Sequence, residues 1–377
     1  MSGIYFHIPF CKQACHYCNF HFSTSLKHKD SVLRAMRQEL TYFARQGWQG
    51  PAETVYFGGG TPSLLSVDEI AHFVEEVASL FGLAEGAEVT LEANPDDLDL
   101  NKIRALKDSP VNRLSVGIQS FDPEELHWMN RAHTPEQALK SLEGIARYFD
   151  NFSLDLIYGI PGSDLSRWDS NLSRALDFRP PHISAYALTV EPKTALHSFV
   201  QRGLSPDVDE AAAQQQFEHM AATLEEKGYD HYEISNFAQP GYYSRNNSGY
   251  WQGKSYLGIG PAAHSYDGHK RWWNPAHNLR YVKALEKGGF PGEAEELSVR
   301  DRYNETVMMG LRTRWGVSLV RIREDFGPGY EAYLRRQASP YLREQLLFMD
   351  GDVLYTARKG KFLADGIASD LFMINLK

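Results

Sequence analysis

Between residues 4 and 227 a short run rich in β-branched and aromatic residues gives way, six times over, to a stretch with helical periodicity. The strand-like runs are "IYFHI", "TVYFGG", "EVTLEAN", "RLSVGIQ", "FSLDLIYG" and "HISAYALT". The helical stretches are Lys29 to Arg45, Val67 to Leu80, Leu100 to Lys107, Pro135 to Tyr148, Leu165 to Phe178 and Glu210 to Lys227. Strands alternating with helices of this length favour parallel pairing with right-handed crossovers, which leaves an open doubly wound sheet or a partial or full barrel. Eight units close a barrel, so six predict an incomplete one, an α/β (βα)6 partial barrel. Enzymes of this class place ligands at the carboxyl ends of the strands. There the chain puts its polar and glycine-bearing signatures: "GGGTP", "EANPDD", "QSF" and "YGIPG".

Past residue 235 the rhythm stops. Residues 236–299, including "NNSGYWQGKSYLGIGPAAHSYDG", read as an irregular segment rich in Gly, Asn and aromatics. From Arg300 helical patterns return, and "DVLYTARKGKFLADG" reads as a hairpin across "RKGK". The expected organisation is therefore a barrel over residues 1–235, an irregular binding segment over 236–299, and a smaller α+β winged-helix-like module over 300–377. A net charge of −9 with no basic cluster argues against a nucleic-acid grip, so that module is expected to serve packing or a partner. No leader pattern and no apolar run of about 20 residues is visible, which predicts a cytoplasmic chain with no integral membrane segment and with reduced thiols.

All three cysteines fall within eight positions, in "HIPFCKQACHYCNF". An odd number of close thiols in a reducing compartment points to a metal site before a disulfide framework. Cys11, Cys15 and Cys18, spaced CxxxCxxC, can hold three irons of a cubane cluster and leave the fourth iron without a protein ligand. A structural zinc site needs a fourth ligand, for which His7, His16 and His21 are the neighbours available. A CxxCH haem attachment motif is absent, because Asn19 follows Cys18. No Lys-Ser or Lys-Thr follows the glycines of "GGGTP", so a P-loop is not supported either.

CxxxCxxC with Tyr17 before its third cysteine, after a first strand and ahead of GGGTP, resembles the radical S-adenosylmethionine (SAM) superfamily. "YFHIPFCKQACHYCNF", "YFGGGTPSLL", "LEANPDDL", "RLSVGIQSF", "MNRAH", "DLIYGIPG" and "AYALTVEP" resemble its oxygen-independent coproporphyrinogen III oxidase-like branch. The resemblance implies a [4Fe-4S] cluster whose open iron chelates SAM and an electron donor that reduces the cluster. The reduced cluster would then cleave SAM to methionine and a 5′-deoxyadenosyl radical. It also implies a set of SAM contacts: Tyr5, Tyr17, Gly59, Gly60, Thr61, Glu92, Gln119, Arg131, Asp155 and Ala187. Their chemistry suits the ligand, since the glycines admit close backbone approach, the acids pair with cationic groups and Arg131 can hold a carboxylate.

Coproporphyrinogen oxidases continue their motif to a fourth cysteine, CxxxCxxCxC, where this chain has Phe20. That departure is similar to the HemW-type proteins, regarded as haem chaperones that bind haem and deliver it to haem-requiring enzymes. The alternative within the branch is a radical enzyme acting on coproporphyrinogen III or another tetrapyrrole, by oxidative decarboxylation or haem breakdown, and the resemblance leaves open whether SAM is cleaved in turnover. HemW-type chains carry an HNxxYW motif. The aligned stretch here is "NNSGYW", with Asn246 in the histidine's position and Asn247, Tyr250 and Trp251 retained. Asparagine is a poor axial ligand beside imidazole, so a haem ligand is expected at His264, His231 or His277. Tyr250 and Trp251 could flank a porphyrin face, or simply pack in a core.

Overall fold

The computed structural model describes residues 3–48, 50–289 and 292–374. Residues 1–2 and 375–377, at the two ends of the expected domains, lie outside the described residues. Six parallel strands form the centre: β1 (Gly3–Ile8), β2 (Ala52–Gly59), β3 (Leu83–Ala93), β4 (Arg113–Gln119), β5 (Phe152–Tyr158) and β6 (His182–Ala187). Between and after them run α1 (Lys29–Arg45), α2 (Val67–Phe81), α3 (Leu100–Lys107), α4 (Pro123–Trp128), α5 (Pro135–Tyr148), α6 (Leu165–Asp177), α7 (Ala195–Gln201) and α8 (Glu210–Glu226). The helices begin where sequence chemistry permits. Ser66 with Glu69 and Thr134 with Gln137 close capping boxes on α2 and α5, and Asp99, Asp164 and Asp209 cap α3, α6 and α8.

Along each central strand alternate residues face opposite ways. Ile4, Phe6 and Ile8 of β1 and Val55 and Phe57 of β2 are fully buried in the layer under the helices. Phe6 stacks on Phe57 at 4.8 Å between ring centroids and meets Phe73 of α2 at 4.9 Å. The other parity is polar and lines the concave interior: Tyr5, Tyr56, Glu92, Arg113, Ser115, Asp155, His182 and Ser184.

The sheet does not end at residue 235. β7 (Asp230–Glu233) and β8 (Asn236–Ala238) form a hairpin whose second strand pairs antiparallel with β6. Beyond α9 (Arg245–Trp251), β9 (Tyr256–Ile259) pairs parallel with the free edge of β1, and β10 (His264–Tyr266) and β11 (Lys270–Trp273) add to it antiparallel. After α10 (Asn278–Glu286), β12 (Glu293–Glu296) closes the series, giving the order β12-β11-β10-β9-β1-β2-β3-β4-β5-β6-β8-β7. The expectation of an irregular segment over 236–299 is thus corrected. Its strands are three or four residues long and take their pairing from distant partners, which leaves little local pattern. β12 is an exposed row of "EAEE", and such charge discourages pairing at an open edge.

A second apolar cluster belongs to the C-terminal module, built from α11 (Val299–Leu311), β13 (Val317–Ser318), α12 (Leu319–Phe326), α13 (Pro328–Arg343), β14 (Leu347–Asp350), β15 (Val353–Thr356) and α14 (Ala364–Asp370). Its three-stranded antiparallel sheet runs β13-β15-β14. The hairpin expected across "RKGK" turns instead at Gly351 and Asp352, with Gly351 at φ 55°, and Arg358–Leu363 is a 3-10 turn. The module docks on the barrel through Arg312, which pairs with Glu233 at 3.1 Å, and through Lys361, which donates to His231 Nδ1 at 2.8 Å.

Candidate functional site

The loop after β1 carries the cysteines to the carboxyl ends of the strands, and two glycines let it lie there. Gly60 donates to the Ile8 carbonyl at 2.9 Å, and a Cβ on it would stand 2.7 Å from the Ile8 and Phe10 carbonyl oxygens. Gly59 has φ 103°, and a Cβ there would meet the His7 ring at 2.6 Å. The glycines of GGGTP therefore admit the cysteine loop as much as any ligand. The loop's far side is pinned by the "MNRAH" segment. Gln13 donates to Asn130 Oδ1 at 2.7 Å, Asn130 Nδ2 to the Ala14 carbonyl at 2.7 Å, and the His16 amide to the Met129 carbonyl at 3.1 Å. Lys12 pairs with Asp96 at 2.8 Å and also with Asp97.

Held in this way, Cys11, Cys15 and Cys18 line one cavity of about 440 Å³ together with Tyr17, Gly59, Gly60, Thr61, Glu92, Gln119, Arg131, Asp155 and Ala187. Burial pushes the Cys11 thiol up to about 11, so its thiolate calls for a cationic partner such as iron. The three histidines available to a zinc site all hydrogen-bond elsewhere through a ring nitrogen, His21 through Nε2 to Asn278 Oδ1 at 2.8 Å. His7 accepts from Tyr5 at 3.3 Å and donates to the His21 carbonyl at 2.9 Å, and His16 Nδ1 donates to the Trp128 carbonyl at 2.8 Å. Among the described residues no three His, Cys, Asp or Glu side chains converge to hold a single metal ion. The donor set fits a cubane, which spreads its thiolates over three irons.

Around the cysteines the cavity offers both signs of charge. Arg131 donates from Nη2 to Asn94 Oδ1 and the Gly117 carbonyl, both at 2.8 Å, and Nη1 lies 3.4 Å from Cys15 Sγ. Its Nε is buried without a partner, a donor left for a ligand oxygen. Glu92 accepts from Tyr56 at 2.7 Å and from the Gly59 amide at 3.2 Å, and burial raises its carboxyl to about 7. Asp155 accepts from Ser115 at 3.1 Å and is likewise raised by burial. A cationic ligand would offset both penalties. Gln119 reaches the cavity from a bulge at the end of β4 with a left-handed φ of 64°, which turns its side chain out of the ladder. Thr61 accepts from Asn94 Nδ2 at 3.2 Å.

Tyr5 is the exception among the SAM candidates. It sits one layer deeper, in a chamber of about 180 Å³ that shares Glu92, Ser115, Asp155 and Tyr186 with the cavity above. The floor of this chamber is α9, and there the structure corrects the haem-face expectation. Asn246 is 6% exposed, its amide donates to Glu88 at 3.2 Å, and its Oδ1 accepts from Thr54 at 2.9 Å. Tyr250 points into the chamber and meets Tyr256 edge-on at 4.6 Å. Trp251 donates to Asn247 Oδ1 at 3.2 Å and lies under the Arg312 guanidinium at 5.0 Å. The two rings serve different contacts and do not flank a common plane.

The three histidines also separate. His231 is stacked on Phe237 at 4.0 Å with both nitrogens occupied, Nε2 donating to the Ile234 carbonyl at 3.0 Å and Nδ1 accepting from Lys361, so it is not free to bind iron. His277 caps α10 through Nδ1. His264 is exposed, stacks on Trp273 at 5.9 Å, and makes no hydrogen bond through its ring among the described residues. Partial burial and nearby Arg271 lower its pKa, which favours the neutral, ligating form. Its segment is anchored to α1 by Glu39, which accepts from the Gly260 amide at 2.9 Å and Asn274 Nδ2 at 2.7 Å.

Asn94, Ser115, Tyr56 and Arg113 were not singled out from the sequence. The signal for three of them is parity: Arg113 and Ser115 in "RLSVGIQ" and Tyr56 in "TVYFGG" alternate with apolar residues, in step with Glu92 and Asp155.

Residues 5–173 match the radical SAM superfamily, and residues 297–363 match the HemN C-terminal domain. The chain is 32% identical to the haem chaperone HemW of Bacillus subtilis (strain 168), covering 97% of this chain and 98% of that protein. It is 36% identical to the haem chaperone HemW of Mycobacterium tuberculosis (strain ATCC 25618 / H37Rv), covering 98% and 94%. In fold it resembles coproporphyrinogen III oxidase (HemN) of Escherichia coli, a radical SAM enzyme, with a TM-score of 0.85, 22% identity, and coverage of 98% of this chain and 90% of that one.

Proposed function

The chain belongs to the radical SAM superfamily, on the HemN-like branch close to HemW, and from that premise we propose that it is a haem chaperone with a [4Fe-4S] cluster and a SAM site at the barrel mouth. The observation that carries the reading is full-length similarity to haem chaperones together with Phe20, 64% exposed, at the rim of the cysteine cavity where the oxidases have a fourth cysteine.

Cys11, Cys15 and Cys18 would ligate three irons, with the fourth open to SAM. When bound, that pair supplies one-electron cleavage of a sulfonium bond. The chain's own groups bind and orient. Arg131 offers its free Nε to a carboxylate, Glu92 and Asp155 face the cationic end, and the Gly117 and Ala187 region supplies backbone. Haem is the cargo, with His264 as axial ligand, because it is the candidate whose imidazole is exposed and, among the described residues, without a hydrogen bond. The C-terminal module and the exposed Phe20 rim are surfaces for a haem-recipient protein and an electron donor.

The test is tetrapyrrole analysis after anaerobic incubation of the reconstituted protein with haem, SAM and reductant. A chaperone returns haem of unchanged mass, whatever the deoxyadenosine yield. A tetrapyrrole altered in proportion to deoxyadenosine would replace this reading with radical catalysis on the pigment.

A further inference from the structure

The chamber beneath the cofactor cavity contains a cation that no contact explains. Arg113 is 2% exposed, yet its guanidinium makes no hydrogen bond or ion pair among the described residues, and its Nε is among the buried atoms without a partner. His182 Nδ1 and Thr90 Oγ1, on the neighbouring strand layer, are buried and unpartnered as well. A guanidinium taken out of water with nothing bound to it is expensive unless opposite charge compensates it across a polar space. The carboxylates that share its chamber are Glu92 and Asp155, and both also line the cavity above, which Arg113 does not reach.

We propose that Arg113 is a positioning residue of the SAM site: across the polar chamber it supplies the counter-charge that keeps Glu92 and Asp155 as carboxylates for the cationic end of the cofactor. The inference rests on the assignment of those two acids to SAM proposed above. The other groups facing the pair do not duplicate this role. Tyr5, Tyr56, Tyr186 and Tyr250 are neutral phenols, and His182, held to Tyr232 at 2.7 Å, is kept neutral by burial and by Arg113 itself. Arg131 acts on Asp155 as well, but its Nη1 and Nη2 are committed to Cys15, Asn94 and Gly117 at the mouth, and its remaining donor, Nε, is the one assigned above to the cofactor's carboxylate.

The sign is fixed by the geometry. Burial raises both carboxyls and Arg113 lowers both, so its removal raises them further and protonates them at a higher pH. The experiment is SAM affinity from pH 6 to 9 on the anaerobically reconstituted protein, by equilibrium dialysis, for wild type, R113Q, R113K, E92Q and D155N. The expected result for R113Q is a pH midpoint displaced upward by about one unit, hence about fivefold weaker binding at neutrality, approaching tenfold toward pH 6 and recovering toward pH 9. R113K, which keeps the charge, should stay near the wild-type midpoint at neutral pH. A loss in R113Q by the same factor at every pH would overturn the proposal and leave Arg113 a structural residue. Should R113Q not fold, R113K decides alone: a retained midpoint supports the counter-charge, and a uniform loss overturns it. If E92Q and D155N bind SAM as well as wild type, it is the assignment of the acids that fails, an outcome distinct from a failure at Arg113.

Discussion

The two ends of the barrel interior are built from the same kinds of side chain and do opposite things with them. At the mouth, polar groups are held by a few protein contacts and keep a donor or charge in reserve. Arg131 has an idle Nε, and Glu92 and Asp155 have carboxyls raised by burial. At the foot, the helix bearing "NNSGYW" spends most of its polar groups on the protein, with the buried Ser248 hydroxyl the exception. Ser244 caps the Asn247 amide, Glu88 takes the amides of Arg245 and Asn246, and Thr54 takes the Asn246 side chain. The lesson is that a motif's residue types do not distinguish a ligand site from a plug. Unsatisfied hydrogen-bonding capacity facing open space does.

The contrast can be broken in order of expected effect. Replacing Cys11, Cys15 or Cys18 by Ala should abolish the iron–sulfur absorbance after anaerobic reconstitution, and three variants that each retain a full cluster would remove the mouth from the account. Next, R131Q should keep the cluster while weakening SAM by about tenfold or more, as loss of a charge-assisted contact implies, read by equilibrium dialysis. E39A should lower stability by about 1–3 kcal/mol per donor left unpaired, because the Gly260 amide, the Tyr281 hydroxyl and one N–H of Asn274 lose their acceptor, and it should loosen the strand that carries His264. Denaturant unfolding and haem affinity check the two halves of that statement. Smallest in function is N246L at the foot. Its lost hydrogen bond to Thr54 should cost about 1–3 kcal/mol of stability and leave SAM affinity unchanged, whereas a coincident loss of SAM binding would mean the two ends are coupled.

SAM affinity should also fall as pH drops through about 7, where Glu92 takes up a proton. In the SAM-free protein the same raised carboxyl acts the other way. Its unfolded-state pKa is lower, so the unfolded chain releases this proton first, and Glu92 subtracts stability progressively as pH rises toward 7. Measuring stability across that range with and without SAM separates the two effects.

Much of this is legible in the sequence alone, and the reason is period. Strands of the barrel carry apolar residues on the outer parity, and their helices carry capping residues such as Ser66 and Thr134, so both elements announce themselves locally. The mouth was legible because "CKQACHYC", "GGGTP" and Glu92 stand at strand ends. What escaped depended on distant partners. β9 through β12 are too short to show a pattern. The turn at Gly351 and Asp352 was hidden by the more turn-like "RKGK". Arg113 is the first residue of β4, where a charged residue reads as a strand end, and only the curved sheet shows that it shares a chamber with Glu92 and Asp155. Likewise, nothing in "NNSGYW" reveals that its first asparagine meets Thr54, which lies 192 residues away in the chain.

The central claim, a haem carrier whose ligand lies on the rim and not at the foot, is tested most directly by anaerobic haem titration of the reconstituted protein, followed by absorption. Wild type, N246L and H264A are titrated in parallel. The account predicts saturable binding in wild type and in N246L, with the axial-ligand signature lost in H264A. Binding that survives H264A but is lost in N246L, or no saturable binding in wild type, would contradict it.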